Sequence, residues 1–554
     1  MPGVCQGYAV SEPRTVGTAI LELLAAPGVE MAFGLPGVHN LAFWNSETDL
    51  RIVGVRHEQA CVYAADGYAR ATGRLGVALT TTGPGAINAL AAFGEAAVSG
   101  VPVLLISSDV STALRSPEGP RGILHEMGDQ AAPFAALGRP AVTVTSADEA
   151  LTAVAKSMSL AMSAPRGPAY VGIPSDILNA PWEGQLPGLP APAAVDPVAM
   201  EVARLAALVA DAPRVVIWAG GGVAQAEGGP AVRSLAERLG APVVTTYAGR
   251  GTMAGHPLAI ETSTHEPEVE GIIGSADLLL VVGSGFDAMH TKNWKMALPE
   301  RRAAVSLGAE VGRTIEWDVL ISADLVSTID GLLEHLPGEP RAPWAAQDVR
   351  DHVQARLRAD ERTSAAIDFV TAIDSWPERG AIVTDMCIPG YWVSSHGRQP
   401  RPRRLLNPVG WGTLGYALPA AIGPAAAGMP TLAVCGDGGP MFALGELASL
   451  VQERLPVTLL IVDDGGYGML RFDQQVFGHP ERGVDLVTPD WELLARAFGI
   501  EFAEVADADE LRTALADASA HSGPSLILQR TLFYPPASTS PRWFESASGP
   551  RETA

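Results

Sequence analysis

The sequence predicts an α/β protein made of three doubly wound parallel sheets. Short apolar runs alternate with helical patterns along its 554 residues. Most of these runs are continuously apolar, as expected for parallel strands that helices cover on both faces. The clearest runs are residues 76–81, 101–107, 214–219, 278–282, 431–435 and 457–462. The length also fits three domains of roughly 150–200 residues each.

Two proline-rich stretches, residues 184–197 and 336–344, divide the chain. Proline keeps such stretches extended, which is typical of linkers between domains. The predicted units are an N-terminal domain (1–185), a central domain (198–336), a C-terminal domain (350–535) and a flexible, small and polar tail (536–554).

The composition excludes several classes of partner. With 47% hydrophobic and 18% charged residues, the chain has enough apolar material for large cores. Its formal net charge of -23 repels nucleic acid and anionic lipid, so neither is an expected partner. The four cysteines are scattered without a CxxC pair, which argues against a disulfide framework or a zinc site. We expect a cytoplasmic protein with reduced thiols, since no signal peptide is evident.

One long stretch without charged residues, 405–436, has to be considered as a possible membrane-spanning helix. A spanning helix needs about 20 apolar residues without a break. Prolines and glycines interrupt this stretch repeatedly. It is therefore predicted to form a packed loop, a buried helix and a strand, and no membrane association is expected.

The strongest motif lies in residues 431–470, where two predicted strands each end in acidic and glycine residues. The first strand runs into Gly436-Asp437-Gly438-Gly439 and the second into Asp463-Asp464-Gly465-Gly466. Ligands of open parallel sheets bind at the carboxyl ends of strands, where glycines let backbone N–H groups approach a diphosphate. Mg²⁺ prefers hard oxygen ligands and commonly bridges carboxylate to phosphate. Asp437, Asp464 and the Gly466 carbonyl are thus a candidate metal site.

This motif resembles that of the thiamine-diphosphate enzymes of the acetohydroxyacid synthase, pyruvate decarboxylase and benzaldehyde lyase superfamily. The resemblance implies that Asp437, Asp464 and the Gly466 carbonyl bind Mg²⁺. This chain departs from the family by having Asp463-Asp464 in place of two asparagines, which adds repulsion toward the diphosphate. The implied cofactor contacts around this metal site are Gly436, Asp437, Gly438, Gly439, Asp464, Gly466, Tyr467, Gly468 and Met469.

A second match covers residues 53–73, which contain Arg56-His57-Glu58. The resemblance implies that Glu58 is the catalytic glutamate that binds N1′ of the cofactor aminopyrimidine. Such a carboxyl promotes the imino form of the ring, which then deprotonates the thiazolium C2. In relatives this domain meets the diphosphate domain of another subunit, so the resemblance implies a homodimer or homotetramer with active sites between subunits.

A third match, residues 410–421, resembles the family segment that bends the cofactor. The resemblance places Leu414 between the two cofactor rings and the Gly412 carbonyl at the 4′-amino group. This is an orientation effect that brings the reacting atoms together.

The sequence indicates the substrate-binding residues less specifically than the cofactor-binding residues. By resemblance, the candidate substrate residues are Pro36, His125, Ile388, Pro389 and Leu470. Ile388 and Pro389 stand where synthases carry a polar pair, and Leu470 stands where some decarboxylases carry an acid. These apolar substitutions favour ligation of a decarboxylated donor over its protonation.

The central domain is predicted to be structural. Both arginines of the family's flavin-contacting pattern are missing from residues 283–289, so FAD is not expected. The leading hypothesis is therefore a thiamine-diphosphate- and Mg²⁺-dependent carboligase. It resembles acetolactate synthase, decarboxylates a 2-oxo acid such as pyruvate and adds the remainder to a carbonyl acceptor.

Three alternatives stay open at this point. The first is an aldehyde lyase or diketone hydrolase of the same superfamily. The second is a non-catalytic homologue that binds the cofactor, which retention of Glu58 disfavours. The third is a nucleotide-binding redox protein that uses the glycine turn at residues 220–222.

Overall fold

Three six-stranded sheets, parallel throughout, organise the chain. The protein is described by a computed structural model that covers residues 14–45, 48–116, 118–192, 194–308, 310–345 and 347–539. The predicted α/β class with three doubly wound sheets is confirmed. The exact domain boundaries stay a prediction.

The N-terminal sheet lies between helices on both faces. Its strands are β1 (Met31–Gly34), β2 (Arg51–Gly54), β3 (Gly76–Thr80), β4 (Val103–Asp109), β5 (Ala141–Thr143) and β6 (Ala169–Pro174). The helices are α1 (Val16–Ala25), α2 (Glu58–Thr72), α3 (Pro84–Ile87), α4 (Leu90–Ser99), α5 (Ala132–Ala135), α6 (Ala147–Met162) and α7 (Ser175–Leu178). The strand order is β2-β1-β3-β4-β6-β5.

The central sheet follows the strand order of a dinucleotide-binding fold. Its strands are β7 (Val215–Ala219), β8 (Val243–Thr245), β9 (Ala259–Ile260), β10 (Leu278–Val282), β11 (Arg301–Val305) and β12 (Val319–Ile321). The helices are α8 (Ala199–Ala210), α9 (Gly221–Gln225), α10 (Gly229–Leu239), α11 (Pro267–Ser275) and α12 (Leu325–His335). The order β12-β11-β10-β7-β8-β9 places its switch point between β7 and β10.

The C-terminal sheet repeats the order of the N-terminal one. Its strands are β13 (Ala381–Thr384), β14 (Leu405–Leu406), β15 (Thr431–Gly436), β16 (Val457–Asp463), β17 (Glu501–Val505) and β18 (Ser525–Arg530). The helices are α13 (Val349–Ala359), α14 (Ser364–Ile373), α15 (Ile388–His396), α16 (Ala417–Ala426), α17 (Glu446–Gln452), α18 (Gly468–Val476), α19 (Trp491–Phe498) and α20 (Ala508–Ala520). The order β14-β13-β15-β16-β18-β17 has the same topology as the first sheet.

The helix and the strand of the uncharged stretch are buried, as predicted, whereas residues 410–412 in its loop are exposed. Its helix, α16, packs along α2, and a β-carbon placed at Gly67 or Gly423 would collide with the backbone of the opposing helix. A charged side chain in this contact would lose its hydration, which explains the composition. No helix among the described residues is long and apolar enough to cross a membrane.

The predicted flexible tail needs a correction at its start. Ser538 is 2% exposed, and its hydroxyl lies 2.8 Å from the Ser395 hydroxyl on α15. Trp392 on the same helix donates to the Tyr534 carbonyl at 2.8 Å. Residues 536–539 therefore pack on α15, because their small side chains fit a polar groove there. The rest of the predicted tail, 540–554, lies outside the described residues.

Candidate active site

Two neighbouring strands deliver the predicted metal-binding carboxylates. Gly436 at the end of β15 pairs with Val462 on β16, so Asp437 and Asp464 leave the sheet at the same edge. Asp437 is 1% exposed, and both of its carboxylate oxygens are buried without a hydrogen bond from any described residue. Oδ1 of Asp464 is also buried and accepts no hydrogen bond from any described residue. Buried carboxylates without partners are costly unless a cation joins them.

The electrostatics of this pair fit a divalent cation. Burial, then the charges of Asp464 and Asp463, raise the pKa of Asp437 to about 7. Burial raises the pKa of Asp464 to about 6, although Arg471 opposes the shift. Among the described residues, no group of three or more His, Cys, Asp and Glu side chains is arranged to hold a metal ion by itself. Two carboxylates completed by carbonyl and phosphate oxygens match the ligand habits of Mg²⁺, so the residues fit this metal.

Asp463, the departure from the family pattern, does not join the metal carboxylates. Its Oδ2 accepts hydrogen bonds from Trp491 Nε1 at 3.1 Å and from Arg530 Nη1 at 2.8 Å. Its Oδ1 accepts the Gly465 backbone N–H at 3.0 Å. Arg530 thus offsets the extra negative charge. The charge of Asp463 still raises the pKa of Asp437 and of Asp464, so Arg530 offsets it only in part.

The glycines around the carboxylates are packed as closely as a diphosphate loop requires. A β-carbon at Gly438 would lie 2.5 Å from the Tyr467 ring, and one at Gly439 would lie 3.0 Å from Oδ2 of Asp385. A β-carbon at Gly436 would lie 3.3 Å from the Cys387 β-carbon. Gly468 begins α18 directly beside the Asp464 carboxylate. The structure thus brings the predicted C-terminal cofactor residues to one edge of the sheet.

Asp385 is a site residue that sequence reasoning missed. It follows β13, and its carboxylate accepts the backbone N–H groups of Met386 at 2.8 Å, Gly415 at 3.0 Å and Ala417 at 3.2 Å. Burial raises its pKa to about 6, against the lowering effect of these donors. Asp385 therefore fixes the loop that carries Gly412 and Leu414. Its position at a strand end was the available signal.

The loop before α16, which carries Gly412 and Leu414, contains two glycines with left-handed backbone. Gly412 has φ +76 and Gly415 has φ +82, both in the left-handed region that favours glycine. A β-carbon at Gly415 would lie 2.5 Å from the Phe442 side chain. Leu414, between these glycines, is half-buried. Gly412 is exposed, with open space around it apart from Met386.

Glu58 opens α2 in the N-terminal domain. Asn88 Nδ2 donates to Glu58 Oε2 at 3.0 Å, and a β-carbon at Gly85 would lie 3.2 Å from Oε1. The preceding Arg56 N–H donates to the Glu446 carboxylate at 3.0 Å, which joins this segment to α17 of the same chain. The atoms nearest to Gly412 and Gly439 come from Met386 and Asp385. The described partners of Glu58 thus belong to the N-terminal domain, while the Trp411 N–H of the Gly412 loop donates to Glu95 of that domain at 2.9 Å.

Comparison with known proteins identifies the family of this chain. Three models of thiamine pyrophosphate enzymes match the chain: the N-terminal TPP binding domain over residues 14–132, the central domain over 202–332 and the C-terminal TPP binding domain over 387–528. The chain belongs to the thiamine pyrophosphate enzyme family. The resemblance to this family is confirmed, as is the predicted α/β fold.

Full-length relatives agree with this assignment. A probable 2-ketoarginine decarboxylase of Pseudomonas aeruginosa is 34% identical, with 93% of each chain covered. An acetolactate synthase of Mycobacterium bovis is 31% identical over 88% of this chain and 82% of its own. The large subunit of acetolactate synthase isozyme 2 of Escherichia coli is 27% identical over 92% and 94%. This thiamine pyrophosphate enzyme is thus similar throughout its length to proteins of two different activities.

The predicted substrate residues of this family member fall into two groups. Pro36 follows β1, and His125 contacts the Gly83 turn after β3, so both lie at one edge of the N-terminal sheet. Ile388 and Pro389 form the buried first turn of α15, and Ile388 belongs to the core of the C-terminal domain. Leu470 on α18 is 51% exposed. Their contact with substrate stays a prediction.

Gln130 supports the N-terminal edge in a way that the sequence did not reveal. It is 1% exposed and donates to the Ser108 carbonyl at 2.9 Å and the Tyr170 hydroxyl at 2.8 Å. Its Oε1 accepts the Gly83 N–H at 2.7 Å. Gln130 therefore holds the glycine turn beside His125.

The glycine turn of the central domain is used for packing. The Gly222 N–H donates to the Gly283 carbonyl at 2.8 Å, and a β-carbon at Gly220 would lie 2.5 Å from the Ser284 side chain. Gly222 therefore has no free N–H for a nucleotide phosphate. The structural role of this domain stays a prediction.

Proposed function

We propose that this enzyme uses thiamine diphosphate with Mg²⁺ to decarboxylate a 2-oxo acid and to join the remaining acyl carbon to a carbonyl acceptor. The observation that carries the metal part is the buried Asp437 carboxylate: its two oxygens accept no hydrogen bond from the described residues, and burial together with the nearby Asp464 charge raises its pKa. In this proposal Asp437, Asp464 and the Gly466 carbonyl hold Mg²⁺. The glycines at residues 436, 438 and 439 admit the diphosphate.

The chain's own residues prepare the cofactor for reaction. When bound, thiamine diphosphate would supply a nucleophilic carbon and an electron sink for decarboxylation. Glu58 exchanges a proton with N1′ of the aminopyrimidine, while Asn88 orients its carboxyl at 3.0 Å. Asp385 fixes the loop that presents the Gly412 carbonyl and the Leu414 side chain.

The aliphatic side chain of Leu470 on α18 favours ligation over simple decarboxylation. Protonation of the decarboxylated donor needs an acid near the reacting carbon. The candidate position, Leu470, is an aliphatic side chain that is 51% exposed in the single chain. A simple decarboxylase is the second candidate, because one full-length relative bears that name.

We also propose that two subunits form each active site. Exposed apolar side chains flank both halves of the site. On the N-terminal half they are Val38 at 82% and Leu124 at 76% exposure; on the C-terminal half they are Trp411, Phe442 and Leu470, at 49–58%. Apolar surface of this kind marks an interaction site. Association of two chains would cover both halves and bring Glu58 of one to the metal site of its partner.

The test is CO₂ release from pyruvate with thiamine diphosphate and Mg²⁺, followed by identification of the product. A 2-hydroxy-ketone product supports ligation, whereas a free aldehyde supports simple decarboxylation. Glu58→Gln is expected to bind the cofactor and to lose at least about 100-fold in turnover. Unchanged turnover in this variant would contradict the mechanism.

Cleavage of a 2-hydroxy ketone or diketone without CO₂ release would instead favour the lyase or hydrolase alternative. Cofactor binding without turnover of any of these substrates would favour a non-catalytic homologue.

A further inference from the structure

Two buried glutamates occupy equivalent places in the two halves of the chain that share one topology. β3 and β15 are the third strands in the orders β2-β1-β3-β4-β6-β5 and β14-β13-β15-β16-β18-β17. Glu95 lies on α4, after β3, and Glu446 begins α17, after β15. Glu95 is 0% exposed and Glu446 is 1% exposed. Buried carboxylates are costly unless hydrogen bonds or cations satisfy them, so the partners of both glutamates are informative.

Glu446, in the C-terminal half, binds the loop before α2 in the N-terminal half. Its Oε1 and Oε2 accept the Arg56 N–H at 3.0 and 3.1 Å, and Oε2 also accepts the Ser449 hydroxyl at 2.7 Å. Arg56 lies between β2 and α2, two positions before Glu58. Hydrogen bonds to a charged acceptor are stronger than those between neutral groups. Glu446 therefore fixes the backbone that leads directly into Glu58.

Glu95 makes the corresponding contact in the opposite direction. Its Oε2 accepts the Trp411 N–H at 2.9 Å, while its Oε1 accepts the Ser99 hydroxyl at 2.7 Å and Arg70 Nη2 at 3.2 Å. Trp411 lies between β14 and α16, directly before Gly412. A carboxylate of the N-terminal half therefore fixes the start of the loop before α16.

The shared topology relates the two contacts to each other. In each, the glutamate follows the third strand of its own sheet, and the bound N–H follows the first strand of the other sheet. The two loops lead into α2 and α16, which pack closely on each other. Asp385 holds the other end of the loop before α16, at the Gly415 and Ala417 N–H groups. Leu414 thus lies between two fixed points, one supplied by each half of the chain.

We propose that Glu95 and Glu446 are a matched pair of positioning residues, each of which fixes a cofactor-binding loop of the opposite half of the chain. Glu446 holds Glu58 in place, and Glu95 holds the Gly412 carbonyl and Leu414. Both glutamates act through these groups and take no part in bond making. The inference rests on the proposed function, which assigns these groups to the cofactor.

The test measures exchange of the C2 proton of bound thiamine diphosphate for deuterium, with Mg²⁺ and without substrate. The released cofactor is analysed by NMR after an acid quench, so the readout does not depend on turnover. Glu446→Ala should slow exchange at least about 10-fold, whereas Glu446→Gln, which keeps an acceptor oxygen, should stay within about 3-fold of wild type. In a Glu58→Gln chain, Glu446→Ala should add less than about 2-fold, because it acts through Glu58.

Glu95 is tested in the same way through Leu414. Glu95→Ala should slow exchange and weaken cofactor binding, measured by calorimetry, by about 10-fold, because the loop loses its fixed start. Glu95→Gln keeps an acceptor for the Trp411 N–H and should recover part of both losses. Glu95→Ala combined with Leu414→Ala should fall short of the product of the single effects by at least about 3-fold.

A matched control removes a different contact between the same two halves. Arg51 Nη2 lies 3.0 Å from Glu453 Oε2, and Glu453→Gln should leave exchange unchanged. Melting temperatures of the cofactor-free variants show which of them fold. Should Glu446→Ala not fold, Glu446→Asp keeps the charge with a shorter side chain and should still slow exchange about 3-fold or more.

The outcomes separate the inference from the proposed function. Exchange at the wild-type rate in folded Glu446→Ala or Glu446→Asp overturns the inference and leaves the proposed function in place. Effects of Glu446→Ala and Glu58→Gln that multiply, or equal slowing in Glu453→Gln, assign the glutamates a general structural role and also overturn the inference. Wild-type exchange that is no faster than that of free cofactor, or that does not need Glu58, overturns the proposed function and the inference together.

Discussion

At the scale of one side chain, substitutions of Asp464 test the proposed metal site. An amide oxygen can replace a carboxylate oxygen as a ligand, and the family usually has asparagine here. We expect Asp464→Asn to keep Mg²⁺-dependent cofactor binding, and Asp464→Ala to weaken it by at least about 100-fold, because a ligand is lost. Titration of thiamine diphosphate by calorimetry at fixed Mg²⁺ measures both. Equal affinities would remove Asp464 from the ligand set.

Asp463, its neighbour in sequence, is expected to behave differently. Its carboxylate supports Trp491, Arg530 and the Gly465 N–H, and its side chain is 4% exposed. Asp463→Ala leaves these donors without an acceptor, which should cost about 2–3 kcal/mol of unfolding free energy. Urea denaturation of the cofactor-free protein measures this cost. Asp485→Ala, the control, removes a 78% exposed acid and should cost less than about 1 kcal/mol.

The raised pKa values of Asp437 and Asp464, about 7 and about 6, predict a pH dependence. A carboxyl whose pKa is raised by folding binds more protons in the folded state than in the unfolded state. Without metal, stability should therefore fall as pH rises from about 4 through 7. Mg²⁺ competes with these protons, so its stabilising effect should grow over pH 5.5–8.

The pH prediction is checked by melting temperatures with and without Mg²⁺ and cofactor at each pH. Asp437→Asn removes one titrating group and should flatten the metal-free profile above pH 6. It should also abolish the increase in metal stabilisation. A wild-type metal effect that is constant from pH 5.5 to 8 would contradict the assignment of these carboxylates.

At the scale of elements, Asp385 couples β13 to the loop before α16. It accepts three backbone N–H groups, two of them from that loop. We expect Asp385→Ala to lower cofactor affinity about 10-fold or more, since Leu414 and the Gly412 carbonyl lose their fixed position. Asp385→Asn keeps one acceptor oxygen and should fall between Ala and wild type. Mg²⁺-dependent fluorescence quenching on cofactor binding is a suitable measurement, with circular dichroism as the folding control.

Comparison of Asp385 with the strands and the metal carboxylates shows which features the sequence predicts and which it does not. Strands such as β10 and β15 are predictable because a parallel strand covered on both faces is continuously apolar. Asp437 and Asp464 are predictable because strand ends meet at one sheet edge. Asp385 and Gln130 were missed because a buried polar residue is recognised by its hydrogen-bond partners, which are distant in sequence. The resemblance assigned the metal to Asp464 and left Asp463 without a role, which its contacts with Arg530 and Trp491 now supply.

At the scale of the whole molecule, the two halves of the site carry different parts of the chemistry. The N-terminal sheet presents Glu58, Pro36 and His125, and the C-terminal sheet, of the same topology, presents the metal carboxylates. Within one chain these sheets are joined by α2 and α16, whose close contact is full of small residues. Glu58 begins α2, and the loop with Gly412 and Leu414 leads into α16. The proposal of a site shared between two chains is therefore the part of this arrangement that an experiment must test.

Subunit complementation tests this assembly. Glu58→Gln and Asp437→Ala chains should each be inactive alone. When co-expressed with two different tags and purified through both, each mixed dimer would have one site with both native residues and one with neither. We expect such dimers to recover about half of wild-type turnover, since sites formed between chains combine residues of both. A mixture of two Glu58→Gln chains is the control. No recovery in a stable mixed dimer would place Glu58 and Asp437 of the same chain in one site.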